Sequence, residues 1–353
     1  SNTAFGKDSL GANTTGEKNT AVGTFSLDSN TTGSHNTALG YEALTSNTQG
    51  DSNVSVGWKS LELNTTGDSN VALGRDALGE NTTASNNTAL GHNTLNANTT
   101  GHSNTAVGKG ALKDNTTSFN TAVGFQAAES TTSGIGQVVV GCNALQNNTT
   151  GDSNTAIGLD CLQQNTTASN NTGVGRDALK LNTTGTNNTS IGANALDANT
   201  TGQSNVAVGN GALGSNTTAS NNTAVGKNAL ILNTIGTENT AIGTSCLTAN
   251  TEGNANIAIG FQCLDANTTG GANTAVGRSA LGSNTTASDN SAFGHFALLN
   301  NTTGSLNCAF GRDALVSNTT ASNNTAVGYQ SLKDNTTGTQ NVAVGASALR
   351  ANT

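Results

Sequence analysis

The sequence has no proline and no methionine, a single tryptophan, 3% aromatic residues and 10% charged residues. A soluble enzyme domain of ordinary composition carries about 25% charged residues, so this chain lies well outside that class. No stretch approaches the roughly 18 consecutive apolar residues of a membrane-spanning helix. The start has neither a basic segment nor an apolar run of the kind that marks a secretory leader. The formal charge is −8 and the few basic residues are scattered, which argues against nucleic acid as a partner. Low charge combined with low hydrophobicity fits a disordered chain. A strict repeat argues otherwise, because a disordered chain has no use for register.

What the sequence has is one short sentence, repeated. Asn-Val-Ala-Leu-Gly at Asn70 returns as Asn-Thr-Ala-Leu-Gly at Asn87. With Asn2 as position 1, there are 21 copies, the last truncated, spaced by 17 residues except for one spacing of 16 before Asn120. The consensus is N-T-A-V-G-x-x-A-L-x-x-N-T-T-G-x-x. Position 5 is Gly in every copy, beginning with Gly6, Gly23 and Gly40, which implies a positive φ or a close backbone approach. Position 9 is Leu in 20 of 21 copies, including Leu10, Leu27 and Leu44. Position 4 holds Val, Ile, Leu or Phe, as at Val22, and position 2 is mostly β-branched. Their alternation predicts a strand with positions 2 and 4 facing the core. Position 13 is always Thr (Thr14 is the first), and position 12 is Asn in 20 copies, starting with Asn13. Positions 12–14 therefore predict a second short strand, with position 13 inward and position 14 outward.

Two short strands and Gly/Asn-rich turns per repeat cannot bury a face alone, but stacked copies bury a continuous column. The prediction is an all-β fold: a parallel β-solenoid of 17-residue coils, a single domain over residues 1–353, with an irregular coil at about 119–136. Rungs about 4.8 Å apart would give 21 coils a length of roughly 100 Å. Asn at positions 1 and 12 would form side-chain amide ladders. A helix is excluded by the abundance of Thr, Asn and Gly. The chain opens and closes inside a repeat, without the atypical capping coils of most solenoids. The expectation is a piece of a longer fibre, or a unit whose ends meet identical neighbours.

Position 3 alternates with 2 and 4 and is expected to point outward, yet it is Ala in 17 of 21 copies. A solvated position would vary among polar residues. Ala4, Ala21, Ala38 and Ala72 are therefore expected to form a contact between chains packed side by side. The thin core of each coil points the same way, and a homotrimer is the expected partner arrangement.

The iterated Asn-Thr-Ala-Val-Gly-x-x-Ala-Leu followed by Asn-Thr-Thr-Gly resembles the repeats of bacterial and viral tail-fibre-domain proteins. It is also similar to the head repeat of trimeric autotransporter adhesins, whose core reads Ser-Val-Ala-Ile-Gly-x-x-Ala. The resemblance covers nearly the whole chain. It implies a left-handed parallel β-roll, assembled as a trimer and displayed outside a cell or particle.

Sites for chemistry are sparse. His35, His92, His102 and His295 occupy positions 17, 6, 16 and 6 and have no zinc-ligand spacing. Cys161, Cys246 and Cys263 replace the small residue of position 8, where they read as small buried hydrophobes. Cys308 is at position 2 and Cys142 at position 6. No nucleophilic constellation, phosphate loop or enclosed carboxylate pair is present, so neither catalysis nor a cofactor is expected. Asn-Thr-Thr fits the glycosylation signal in sixteen copies, but position 12 stays Asn even where Gln49, Ile235 or Glu252 breaks the signal. That favours a structural ladder. Positions 6 and 7 carry most of the chemical variety: Tyr41, Trp58, Phe125, Phe261 and Tyr329, with Phe25 and Phe296, and four arginines. Exposed aromatics there suit a sugar or a partner surface. The expected function is a stiff extracellular fibre, at a cell or particle surface, with a cell-surface or glycan receptor. The alternative is a protein that binds a periodic surface such as ice through Thr or aromatic ladders.

Overall fold

The computed structural model describes residues 1–352; Thr353, the last position-13 threonine and the end of the expected domain, lies outside the described residues. Among the described residues there is no helix. Each coil contributes one three-residue strand at positions 2–4, from β1 (Thr3–Phe5), β2 (Thr20–Val22) and β3 (Thr37–Leu39) through to β21 (Val342–Val344). The 21 strands form one parallel sheet. Each residue pairs with its equivalent one coil away, as in Val206↔Thr223, Ala207↔Ala224 and Val208↔Val225. This is the parallel β-solenoid of 17-residue coils that the repeat predicts. Its contacts fall into two units, Ser1–Gly173 and the chain from Val174 onward, built in the same way.

The invariant glycine of position 5 is required twice over. Its φ lies between 123° and 146° in every coil, a region closed to L side chains. A Cβ on Gly243 would also lie 2.3 Å from the carbonyl oxygen of Gly260 in the next coil. Position 9 shows the opposite choice. Its leucines sit in the left-handed region, with φ of 52° at Leu27 and 55° at Leu44. A left-handed non-glycine residue carries strain of about 1–3 kcal/mol. Full burial of these leucines supplies the compensation, about 1.5–3 kcal/mol each.

Two asparagine columns hold the turns together. At position 1, the Asn36 amide N–H donates to Asn19 Oδ1 at 2.9 Å, and Asn36 Nδ2 donates to the Gly50 carbonyl at 2.8 Å. At position 12, Asn47 Nδ2 donates to Asn30 Oδ1 at 2.9 Å and to the same Gly50 carbonyl at 3.0 Å. Both columns are buried, so each amide has exchanged water for a repeating set of protein partners. The ladder predicted from Asn13 is present, and the side-chain nitrogens of the interior Asn-Thr-Thr triplets, which a glycan would have to occupy, are enclosed by it as donors.

The structure reverses the predicted faces of the strand. Ala21, Ala38 and Ala72 are 0% exposed inside the chain's own coils, so they do not form an inter-chain contact; Ala4, in the first coil, is exposed. Position 3 faces position 8 across the narrow interior. The Ser55 hydroxyl donates to the Ser60 carbonyl at 2.8 Å, and the one glycine at position 3, Gly173, leaves the space that the Cys161 sulfur fills. The restriction to small residues thus reports a narrow interior; the one larger residue, Val139, is fully buried in the coil after the one where Ala128 replaces the position-9 leucine. Positions 2 and 4 point outward instead, and Val22, expected in the core, is half-buried on the outer face. The physical reason is the presence of Leu at position 9, which with two Asn columns already fills the coil.

The second predicted strand is absent. The N–H groups of Thr31 and Thr32 both converge on the Thr48 carbonyl, at 3.0 and 3.1 Å, a bend rather than an extended ladder. Thr14 is accordingly exposed and Thr31 half-buried rather than inward, and the Thr31 hydroxyl donates to the Thr48 carbonyl at 2.9 Å. Leu10 and Asn13, in the first coil, are half-buried, whereas Leu27, Leu44 and Asn30 are buried. The short coil is absorbed locally. The Thr117 carbonyl accepts from both Asn104 Nδ2 (2.7 Å) and Asn115 Nδ2 (2.8 Å), replacing the usual position-15 carbonyl. Strand register continues across it, Thr105↔Thr121 and Thr121↔Val138. The cost appears in the Asn column, where Asn98 Oδ1 and Thr131 Oγ1 are buried without partners.

Candidate functional site

The narrow interior leaves all chemical variety on the surface, and no pocket is found among the described residues. Nor do His, Cys, Asp and Glu gather anywhere among them into a group able to hold a metal. Two surfaces remain.

The first is the outer sheet face. It combines Thr, Val and Ile at position 2 with apolar residues at position 4. Leu39, Leu73, Ile157, Ile191, Ile242, Ile259 and Phe310 are all exposed at position 4, and Val54, Val138 and Ile257 at position 2. Phe293 and Phe310 stack face to face on successive rungs, 4.5 Å between centroids. In each unit, runs of exposed large apolar side chains on the outer sheet face mark an interaction surface rather than a solvated one. Sequence reasoning missed this face because it assigned β-branched residues to the core; the signal was the intolerance of position 3.

The second is the corner after the invariant glycine. Tyr41, Trp58, Phe125, Phe261 and Tyr329, all at position 6, are each exposed by between 43% and 49%, as expected. Cations lie against several of these rings: the Arg75 guanidinium 4.9 Å and the Lys59 ammonium 5.2 Å from Trp58, Lys109 5.8 Å from Phe125, and Arg278 5.8 Å from Phe261. Phe25 packs edge-on against Tyr41 at 6.2 Å. The Lys59 ammonium is held by Glu62 at 2.7 Å and Glu42 at 3.1 Å, which keep it protonated well above the usual lysine range. A hydrogen bond to the Glu42 carboxylate raises the Tyr41 phenol and lowers Glu42 in turn.

The three position-8 cysteines follow the prediction of small buried hydrophobes, whereas Cys308, at a position expected to face inward, lies on the outer face of its strand. Cys161, Cys246 and Cys263 are buried and free, Cys308 is half-buried and Cys142 exposed. Burial pushes the Cys161 thiol up to about 12. A hydrogen bond with Cys263, together with burial, raises the Cys246 thiol as well. No helix among the described residues is long and apolar enough to cross a membrane. Compared with models of known families and with curated proteins, the chain matches none.

Proposed function

We propose that the chain is a stretch of an extracellular fibre, a stiff shaft or head in which identical solenoids pack side by side and the outer corners present an adhesive surface. The observation that carries this reading is the outer sheet face, where positions 2 and 4 leave Leu39, Leu73, Ile191 and Ile259 in water in a lone chain. A second copy of the same face is the simplest cover, since a repeated ladder is complementary to itself at every rung. Three chains is the number that the resemblance to tail-fibre and autotransporter-head repeats implies, as is display outside a cell or particle. Sedimentation equilibrium tests this on the natural chain and on a variant carrying Ile242→Lys, Ile259→Glu and Val276→Lys, whose alternating charges let neighbouring rungs still pair. The natural chain is expected at a multiple of one chain's mass and the variant at the mass of one; a natural chain of single mass sinks the reading.

A second reading, a periodic-surface binder, draws on the outward threonines of position 2, among them Thr37, Thr105 and Thr223. It requires that face to stay open, so the same mass measurement separates the two.

A further inference from the structure

Down the position-6 column the same five-rung series occurs twice, once in each unit. The first is Trp58, Arg75, His92, Lys109 and Phe125; the second is Phe261, Arg278, His295, Arg312 and Tyr329. Both run aromatic, Arg, His, basic, aromatic. Both histidines of this column and four of its five aromatics belong to these series. Elsewhere the column mixes Thr24, Cys142, Leu159 and Asn210 with Lys7, Tyr41, Arg176 and Lys227, with no order.

Parallel rungs set the spacing. Neighbouring side chains stand about 4.8 Å apart, so each series covers roughly 19 Å along the solenoid, room for several sugar rings of an extended chain. The rings at the ends offer broad, rigid apolar faces, three of the four with a cation against them: Arg75 over Trp58, Lys109 over Phe125 and Arg278 over Phe261. Phe296 stacks behind His295 at 3.7 Å, holding that imidazole at the surface. One fixed cation of each series is already answered, Arg75 by Asp76 at 3.0 Å and Arg312 by Asp313 at 3.5 Å. The other, Lys109 or Arg278, has no ion pair among the described residues.

We propose that each series is a binding site for one stretch of a linear acidic polysaccharide. The terminal aromatics take the apolar faces of sugar rings, and the unanswered cation and the surrounding donors take their carboxylates. Charge decides against the other polyanion that aromatics and cations suit. A single-stranded nucleic acid bears a phosphate on every unit and gains affinity by displacing counterions with several cations. One unanswered fixed cation per series, on a chain of net charge −8, matches a sparsely charged glycan instead. The ligand class rests on the fibre reading, in that the outer corner is taken as the working surface.

The test is isothermal titration of the chain with hyaluronan oligomers, whose carboxylates fall only on every second sugar, against a neutral oligosaccharide and oligothymidylate of matched length. The expected result is two sites per chain for the acidic sugar, with at least tenfold weaker binding of the other two. Arg278→Gln with Phe261→Ala is expected to halve the number of sites, and adding Lys109→Gln with Trp58→Ala to abolish binding, with the assembled mass unchanged. Absence of binding, unaltered stoichiometry in the variants, or preference for the neutral sugar or for oligothymidylate overturns the proposal. A natural chain at the mass of one strikes the fibre reading instead, so the two fail separately.

Discussion

At the residue scale, the repeat separates side chains that look alike in sequence. The five cysteines differ chiefly in burial, and only a thiolate reacts quickly. With an aqueous maleimide at neutral pH, Cys142 is expected to react fast, Cys161, Cys246 and Cys263 only after denaturation, and Cys308, raised by partial burial, in between. Labelling followed by peptide mass analysis reads this directly; rapid labelling of Cys161 would contradict the interior position. Gly243→Ala meets both a φ of 133° and the Gly260 carbonyl, and is expected to destabilise by about 3 kcal/mol or more in urea unfolding.

The need for glycine at position 5 was legible from its invariance, as was the burial of Leu27 and Leu44. The direction of Ala21 was not. A residue limited to small size meets a close neighbour, and composition alone does not say whether that neighbour belongs to the same coil or to another chain. The pairing of Gly173 with Cys161, a small residue opposite a larger one a coil away, held the answer within the sequence. The left-handed leucines were also illegible, because Leu has no preference for that conformation and adopts it here only for burial.

At the scale of the element, one strand per coil and two asparagine columns carry the fold. Strand polarity gives a paired prediction. Ala224→Leu overfills the interior and is expected to unfold its surroundings, seen as new cleavage sites in limited proteolysis. Val225→Leu, its outward neighbour, is expected to leave the fold within about 1 kcal/mol of the natural chain. Equal effects would mean that the faces are misassigned. Asn250→Leu removes donors to Asn233 Oδ1 (2.8 Å) and Gly253 O (3.0 Å), and also the acceptor of Asn267 Nδ2 (2.9 Å). Leaving buried amide groups unanswered is expected to cost about 2 kcal/mol, measured as a lower urea midpoint. That two asparagines per coil would ladder was readable from their persistence. That positions 12–14 bend rather than extend was not, since Asn-Thr-Thr suits either, and the choice is made by two N–H groups sharing one carbonyl.

At the scale of the whole molecule, a narrow interior fixes what the surface has to do. With Ala, Leu and Asn inside, the larger aliphatic residues of position 4 are left on the outer sheet face, and the chemical variety is confined to the corner beyond the glycine. The fold class was therefore plain from period and composition, whereas the working surfaces depended on which way a three-residue strand faces. Self-association, expected from position 3, is proposed instead through positions 2 and 4. Electron cryomicroscopy of the native material, at a resolution that counts solenoids per cross-section, tests this most directly. More than one solenoid is expected, joined through the face carrying Ile242 and Ile259, with the position-6 corner open to solvent. A single solenoid with water against that face would contradict it.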